Sequence, residues 1–109
     1  MRMHLDDKCF KKIKNGTKTI EVRLYDEKRR ELKVGDIITF DNRSNDEKLN
    51  VKVINLYVYK NFEELYKHHD KITLGYNEDE IASPSDMRMY YSFEDTIKNG
   101  VVAIEIEVI

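Results

Sequence analysis

The segment from Thr17 to Leu24 alternates polar and apolar residues with a period of two. The apolar set is Ile20, Val22 and Leu24, and the polar set is Thr19, Glu21 and Arg23. Successive side chains of a strand point to opposite faces, so this pattern predicts a half-buried strand. If the apolar set packs into a barrel, the polar set lies together on the other face of the sheet.

The chain before this strand has the pattern of a short helix. Asp6 or Asp7 is suited to cap its start, and Asn15-Gly16 is a typical stop. Its apolar positions are Cys9, Phe10 and Ile13. The stripe predicts one buried face and a lysine-rich outer face.

Apolar runs later in the chain predict three more strands and several short helices. The strands are predicted at 37–40, 49–59 and 101–109, the helices from Asn61 and from Ser85 or its neighbour, and helical turns within 25–32 and 93–98. Segment 71–84 is predicted as a loop with a short helical piece. In the last strand Val102, Ile104, Ile106 and Val108 share one face.

These elements indicate an α+β fold of four or five strands with two to four short helices. The strand at 17–24 and the last strand bracket the chain, which favours a small, mostly antiparallel β-barrel with short flanking helices. The length of 109 residues predicts a single domain over 1–109. No apolar run is long enough to cross a bilayer, and the first residues lack the apolar stretch of a secretory signal, so we expect a cytoplasmic protein without a membrane partner.

Charge is unevenly distributed along the chain, although the net charge is only −2. Residues 8–33 carry ten basic and four acidic side chains, whereas residues 34–109 carry eight basic and fifteen acidic ones. A basic patch on an acidic body favours local attraction of a polyanion. A merely solvated helix and turn explains the same pattern equally well.

Several kinds of site have no signature in the sequence. There is no phosphate-binding glycine loop and no Cys/His cluster with zinc spacing, so we expect neither a cofactor nor a metal. Cys9 is the only cysteine and is interpreted as a small apolar filler of the helix. His68 and His69 are interpreted as residues of a helix C-terminus, where cations are favoured.

The polar face of the strand at 17–24 is the best candidate for chemistry. A Lys18 deprived of solvent could act as a base or nucleophile, and Arg23 suits a phosphate or a base carbonyl. The alternative is a surface Glu21–Arg23 pair of little energetic consequence. Tyrosines near a basic strand can stack on bases, and the chain has six beyond the one in the Asn61 helix: Tyr25, Tyr57, Tyr59, Tyr76, Tyr90 and Tyr91.

The order of these features resembles the ASCH domain, a branch of the PUA-like superfamily. The resemblance rests on Phe10-x-x-Ile13-x-x-Gly16-x-Lys18-x-x-Glu21-x-Arg23, on Gly35-Asp36-Ile37-Ile38-Thr39-Phe40, and on the closing segments from Met87 and from Gly100. It covers essentially the whole chain. It implies a PUA-like pseudo-barrel with a polar cleft beside the 17–24 strand, where RNA or a modified base is accepted.

The resemblance also implies two kinds of activity. Some small members hydrolyse acetylcytidine nucleosides with a lysine at the position of Lys18, a threonine three residues later and a further glutamate, and others are described as ribonucleases. Here Glu21 occupies the threonine position, and Glu78 and Glu80 are the candidates for the further glutamate. The hydroxyl nucleophile of the acetylcytidine hydrolases is therefore absent from that position.

The leading hypothesis is a domain that binds RNA, a nucleoside or a nucleotide. Its predicted ligand-binding residues are Lys18, Thr19, Glu21, Arg23, Tyr25, Tyr90 and Tyr91. The second hypothesis is a small hydrolase of a modified nucleoside or RNA, with Lys18 as base and Glu21 as its partner. The third is a protein-interaction module.

Overall fold

The structure, a computed structural model, describes all residues from 1 to 109 and contains five strands. They are β1 (Arg2–Leu5), β2 (Ile20–Leu24), β3 (Ile37–Asn42), β4 (Lys48–Tyr59) and β5 (Val101–Val108). They form one sheet in the order β1-β3-β4-β5-β2. The β1–β3 pair is parallel and the other three pairs are antiparallel.

Four short α-helices and two 3₁₀ turns connect the strands. The helices are α1 (Asp7–Lys14), α2 (Phe62–His68), α3 (Lys71–Leu74) and α4 (Phe93–Asn99), and the 3₁₀ turns are Arg29–Glu31 and Pro84–Met89. The Asp6 carboxylate accepts a hydrogen bond from the Cys9 amide and caps α1, and the Asn61 amide oxygen caps α2 in the same way. No helix has both the length and the apolar character that crossing a bilayer requires.

Two hydrophobic clusters occupy the two faces of the curled sheet. The first lies inside the curl and is closed by α1, and its members are Met3, Leu5, Phe10, Ile13, Leu32, Ile38, Phe40, Val51, Val53, Val102, Ile104 and Ile106. The second lies against α2 and α3, and its members are Ile20, Val22, Leu24, Phe62, Leu65, Leu74, Val101 and Ala103. The first half of strand β5, residues 101–104, is therefore buried on both faces.

The PUA-like α+β pseudo-barrel expected from the sequence is confirmed. The predicted α1, the helix from Asn61 and the strands at 37–40, 49–59 and 101–109 are also confirmed, within two residues at most ends. Strand β1 was not predicted, because four residues give too short an alternation to stand out. The helix predicted from Ser85 is instead the 3₁₀ turn Pro84–Met89, so Tyr90 and Tyr91 lie beyond its end.

The predicted orientation of β2 is wrong. Glu21 pairs with Ile104 and Arg23 with Val102, and both partners belong to the cluster inside the curl. Residues directly opposite each other in an antiparallel pair share a face, so the polar side chains of β2 point inward. Ile20, Val22 and Leu24 face outward and are covered by α2 and α3.

Candidate functional site

Strands β1 and β2 are the two edges of the sheet, and they approach each other without pairing. We call the gap between these two edges the seam. The Arg23 guanidinium bridges it, because its Nη2 donates to the carbonyl oxygen of His4 in β1 at 2.8 Å. Helix α1 connects the two strands and buries Phe10 and Ile13 beneath them. The inward polar side chains of β2 therefore lie at an open end of the barrel core.

Glu21 lies between two cations in this seam. Its Oε2 accepts from Arg23 Nε at 2.7 Å, and its Oε1 lies 3.3 Å from Lys18 Nζ. The Glu21 side chain is only 7% exposed. We call Lys18, Glu21 and Arg23 the seam triad.

Lys18 is the most deeply buried member of the seam triad, with 4% of the residue exposed. Its Nζ donates to the carbonyl oxygens of Ile20 at 2.6 Å and Leu74 at 2.8 Å, in addition to its contact with Glu21. Three acceptors match the three N–H donors of an ammonium group. Every donor of Lys18 is thus engaged within the protein.

Gly75 allows Lys18 to lie this deep. It ends α3 with a positive φ of 108°, and a Cβ at this position would lie 2.9 Å from Cδ of Lys18. Any side chain would therefore be strained in its backbone and would collide with the lysine stem. Segment 71–84, predicted as a loop with a helical piece, supplies one of the three acceptors of Lys18 and the glycine beside its stem.

The charges of the seam triad stabilise one another against the cost of burial. Burial alone raises the pKa of Glu21, but Lys18 and Arg23 outweigh it and the net shift lowers the pKa. Burial alone lowers the pKa of Arg23, but the charge of Glu21 outweighs this effect and the net shift raises the pKa. Glu21 and Arg23 are therefore both ionised at neutral pH.

One nitrogen of the seam triad makes no hydrogen bond within the protein. Arg23 uses Nε and Nη2 within the protein, whereas Nη1 makes no hydrogen bond there. Arg29 Nε is the one buried side-chain nitrogen or oxygen without a partner, so the unpaired Arg23 Nη1 is accessible to solvent. This atom is a fixed, charged donor at the surface of the seam.

Two tyrosines follow the Pro84–Met89 turn. Tyr90 is 62% exposed, and its ring centroid is 6.4 Å from that of Tyr91. Burial raises the pKa of Tyr90, and the negative charges of Asp6 and Glu21 add to that rise. Tyr90 is thus an exposed ring on the side of the molecule that carries Asp6 and Glu21.

Cys9 and His68 fit their predicted structural roles. Cys9 packs against the cluster inside the curl, and burial raises its pKa to about 11, so its thiolate is disfavoured at neutral pH. His68 Nδ1 donates to the Glu64 carbonyl oxygen at 2.8 Å in the last turn of α2. No group of three or more His, Cys, Asp or Glu side chains is placed to hold a metal ion.

Thr19 and Tyr25 form no hydrogen bond with the seam triad. Thr19 lines a second cavity with Gly16, Lys18 and Ile106, so it neighbours the triad only through Lys18. Tyr25 packs against the core, and its ring is covered by the Arg30 guanidinium at 4.6 Å. The structure thus brings Lys18, Glu21 and Arg23 together and leaves Thr19 and Tyr25 without a hydrogen bond to them.

Sequence reasoning missed three contributors to the site. The carbonyl oxygens of His4 and Leu74 hold the two cations, and Gly75 makes room for Lys18. Backbone acceptors carry no residue-type signal. Gly75 did carry one, because a glycine after Lys71–Leu74 is a typical helix stop.

Comparison with known proteins identifies the family. The profile of the ASCH domain matches residues 3–109. The chain belongs to the ASCH domain family. Membership of this family supports a general RNA-binding or related function.

Two solved structures resemble the chain over its whole length. The crystal structure of hypothetical protein PH0355 has a TM-score of 0.83 and 39% sequence identity, and the match covers 99% of this chain and 97% of that one. The solution NMR structure of protein PF0455 from Pyrococcus furiosus has a TM-score of 0.70 and 38% identity, covering 99% and 96%. The search among curated proteins found no match.

Proposed function

We propose that this single ASCH domain binds RNA or a modified nucleoside at the seam, with Arg23 as its principal contact. The observation that carries the proposal is the solvent-accessible, unpaired Nη1 of an arginine that is held in place through Nε by Glu21 and through Nη2 by the His4 carbonyl. A guanidinium held in this way meets a phosphate or a base carbonyl without losing side-chain freedom on binding.

The remaining members of the site have different roles in this proposal. Lys18 has no donor left for a ligand, so it positions Glu21 instead of contacting RNA. Glu21 orients Arg23 through Nε. Tyr90, exposed beside them, offers a face for a base to stack on.

A hydrolase that uses Lys18 as its base fits the contacts less well. A neutral amine has two N–H donors, so one of its three present acceptors would lose its hydrogen bond inside the protein. Glu21 would also lose one of the two cations that hold it ionised. These contacts favour binding over catalysis through Lys18.

Binding of a fluorescently labelled single-stranded octaribonucleotide, followed by anisotropy at low salt, tests the proposal. We expect Arg23→Ala to weaken binding roughly tenfold or more, and Arg23→Lys to restore it only partly, because an ammonium keeps the charge but not the guanidinium fork. Lys52→Ala is the control, since Lys52 is exposed and forms no ion pair or side-chain hydrogen bond. Thermal melts check that each variant is folded.

Three outcomes would contradict this proposal. The wild-type protein fails to bind RNA at low salt, or Arg23→Ala and Lys52→Ala weaken binding equally. Alternatively, the protein releases cytidine from an acetylcytidine nucleoside and Lys18→Ala abolishes the release, which would establish the hydrolase.

A further inference from the structure

A second concave surface lies beyond the seam, on the side of α2 and α4. It encloses about 420 Å³ and is lined by three segments: the start of α2, the Pro84–Met89 turn with Tyr91, and α4. Cavities that hold small ligands span roughly 300–1,000 Å³, so this one suits a single nucleotide. None of the seam triad lines it.

Aromatic rings form much of this cavity. Tyr91 is stacked on the buried Phe62, with ring centroids 6.0 Å apart and planes inclined by 19°. Phe93 also lines the cavity, and 65% of this residue is exposed to solvent. An exposed phenyl ring is costly in water, and it is what a nucleobase stacks on.

The charged residues of the cavity are unpaired. Lys60 and Arg88 are both exposed, and neither forms an ion pair or a side-chain hydrogen bond, in contrast to Lys18 and Arg23 in the seam triad. Glu63 is also unpaired and lies in the same lining. Two free cations suit phosphates, and a carboxylate can accept from an exocyclic amine or a ribose hydroxyl.

Tyr91 connects the cavity with the seam. It lines the cavity and packs against the cluster that contains Leu24, the residue after Arg23. Helix α4, which forms one wall of the cavity, also contacts β2. Burial raises the pKa of Tyr91, and the positive charges of Arg23 and Arg29 oppose that rise. The cavity is therefore adjacent to the strand that carries Arg23.

We infer that the cavity lined by Lys60, Arg88, Tyr91 and Phe93 is a second nucleotide subsite, and that the ligand is single-stranded RNA of at least two nucleotides. This inference rests on the proposed function at the seam. One nucleotide contacts Arg23 and Tyr90, and a neighbouring one stacks on Phe93 with its phosphates at Lys60 and Arg88. Aromatic rings interleaved with free cations are the general basis of single-strand binding.

The test compares an octaribonucleotide with a nucleoside monophosphate on the full chain. We expect the octaribonucleotide to bind wild-type protein at least tenfold more tightly than the monophosphate. Phe93→Ala should weaken octaribonucleotide binding roughly 5- to 100-fold, as expected for the loss of one stacked base. Lys60→Ala/Arg88→Ala should lower the slope of log affinity against log salt by about 1.4, since each single-strand phosphate contact contributes about 0.7.

Lys33→Ala/Lys52→Ala is the matched control, because it also removes two exposed cations. Both lysines lie far from the cavity. Lys52 in β4 precedes Lys60 by eight residues, which is roughly 26 Å at about 3.3 Å per residue. The Gly35 amide donates to the Val53 carbonyl oxygen, so the turn that contains Lys33 lies at the same end of β4 as Lys52. We expect this variant to bind the octaribonucleotide within about twofold of wild type, with a salt slope reduced by much less than 1.4.

The possible failures are distinguishable. If Arg23→Ala weakens RNA binding but Phe93→Ala and Lys60→Ala/Arg88→Ala do not, the second subsite is overturned and the seam proposal stands. If wild-type protein binds no RNA at low salt, both fall. If the wild-type protein binds an apolar peptide, and Phe93→Ala abolishes that binding without affecting RNA binding, the cavity is a protein-docking site and the inference is wrong.

Discussion

The molecule contains two triads of the same composition, each a carboxylate between a lysine and an arginine. In the seam triad, Glu21 lies between Lys18 and Arg23. On the surface, Asp41 of β3 lies between Lys48 and Arg2, which binds it through two hydrogen bonds of 3.0 and 2.6 Å. The surface triad has the better ion-pair geometry of the two.

Their surroundings differ much more than their geometry. Arg2 and Lys48 have 61% and 58% of their side chains exposed, so water and salt compete with their ion pairs. Lys18 and Glu21 have 4% and 7% exposed, so each charge depends on the others. Residue types and distances alone do not distinguish a candidate site from a surface ion pair; burial does.

The largest expected effect is on stability after Glu21→Gln. The amide leaves two buried cations without a counter-ion, and we expect the free energy of unfolding to fall by roughly 3–5 kcal/mol, measured by urea denaturation. Asp41→Asn is the matched control in the surface triad, and we expect a much smaller loss that shrinks further in 1 M salt. Equal losses from the two variants would show that burial does not distinguish the triads.

Acid should remove the same contribution from the wild-type protein. The pKa of Glu21 is lowered in the folded state from its ordinary value of 4.5, so the unfolded state binds the proton more readily. The stability that ionised Glu21 provides is therefore present above pH about 4.5 and is lost as the pH falls through the folded-state pKa. The difference in unfolding free energy between wild type and Glu21→Gln should be constant from pH 7 to 5 and shrink by pH 3. A difference between the two proteins that grows as the pH falls would contradict a lowered pKa of Glu21 in the folded state.

Gly75→Ala tests the close packing that the surface triad lacks. The positive φ costs about 1–2 kcal/mol for alanine, and the contact with the Lys18 stem adds about 1–3 kcal/mol. Gly16→Ala is the control, because Gly16 also has a positive φ of 84° but a Cβ there meets no atom within 4 Å. Thermal or urea unfolding should show the larger loss for Gly75→Ala. Equal losses of unfolding free energy in the two variants would mean that the Lys18 side chain moves away from the new methyl group without an energetic cost.

The amino-acid sequence by itself determined most of the secondary structure. Alternation identified β2 and β5, the capping residues Asp6 and Asn61 located two helix starts, and the order of motifs indicated the PUA-like fold. These signals are local, because they depend on backbone geometry and on side chains a few residues apart. Strand β1 escaped detection because its stability comes from pairing with β3, 37 residues away.

Only the tertiary structure decided what the polar face of β2 does. The same alternation is compatible with either face turned inward, and the choice depends on α2 and α3, which cover Ile20, Val22 and Leu24. That choice buries Lys18 and Glu21 and leaves Nη1 of Arg23 unpaired at the seam. Burial is a property of the assembled chain, and it converts three ordinary charged residues into a candidate binding site.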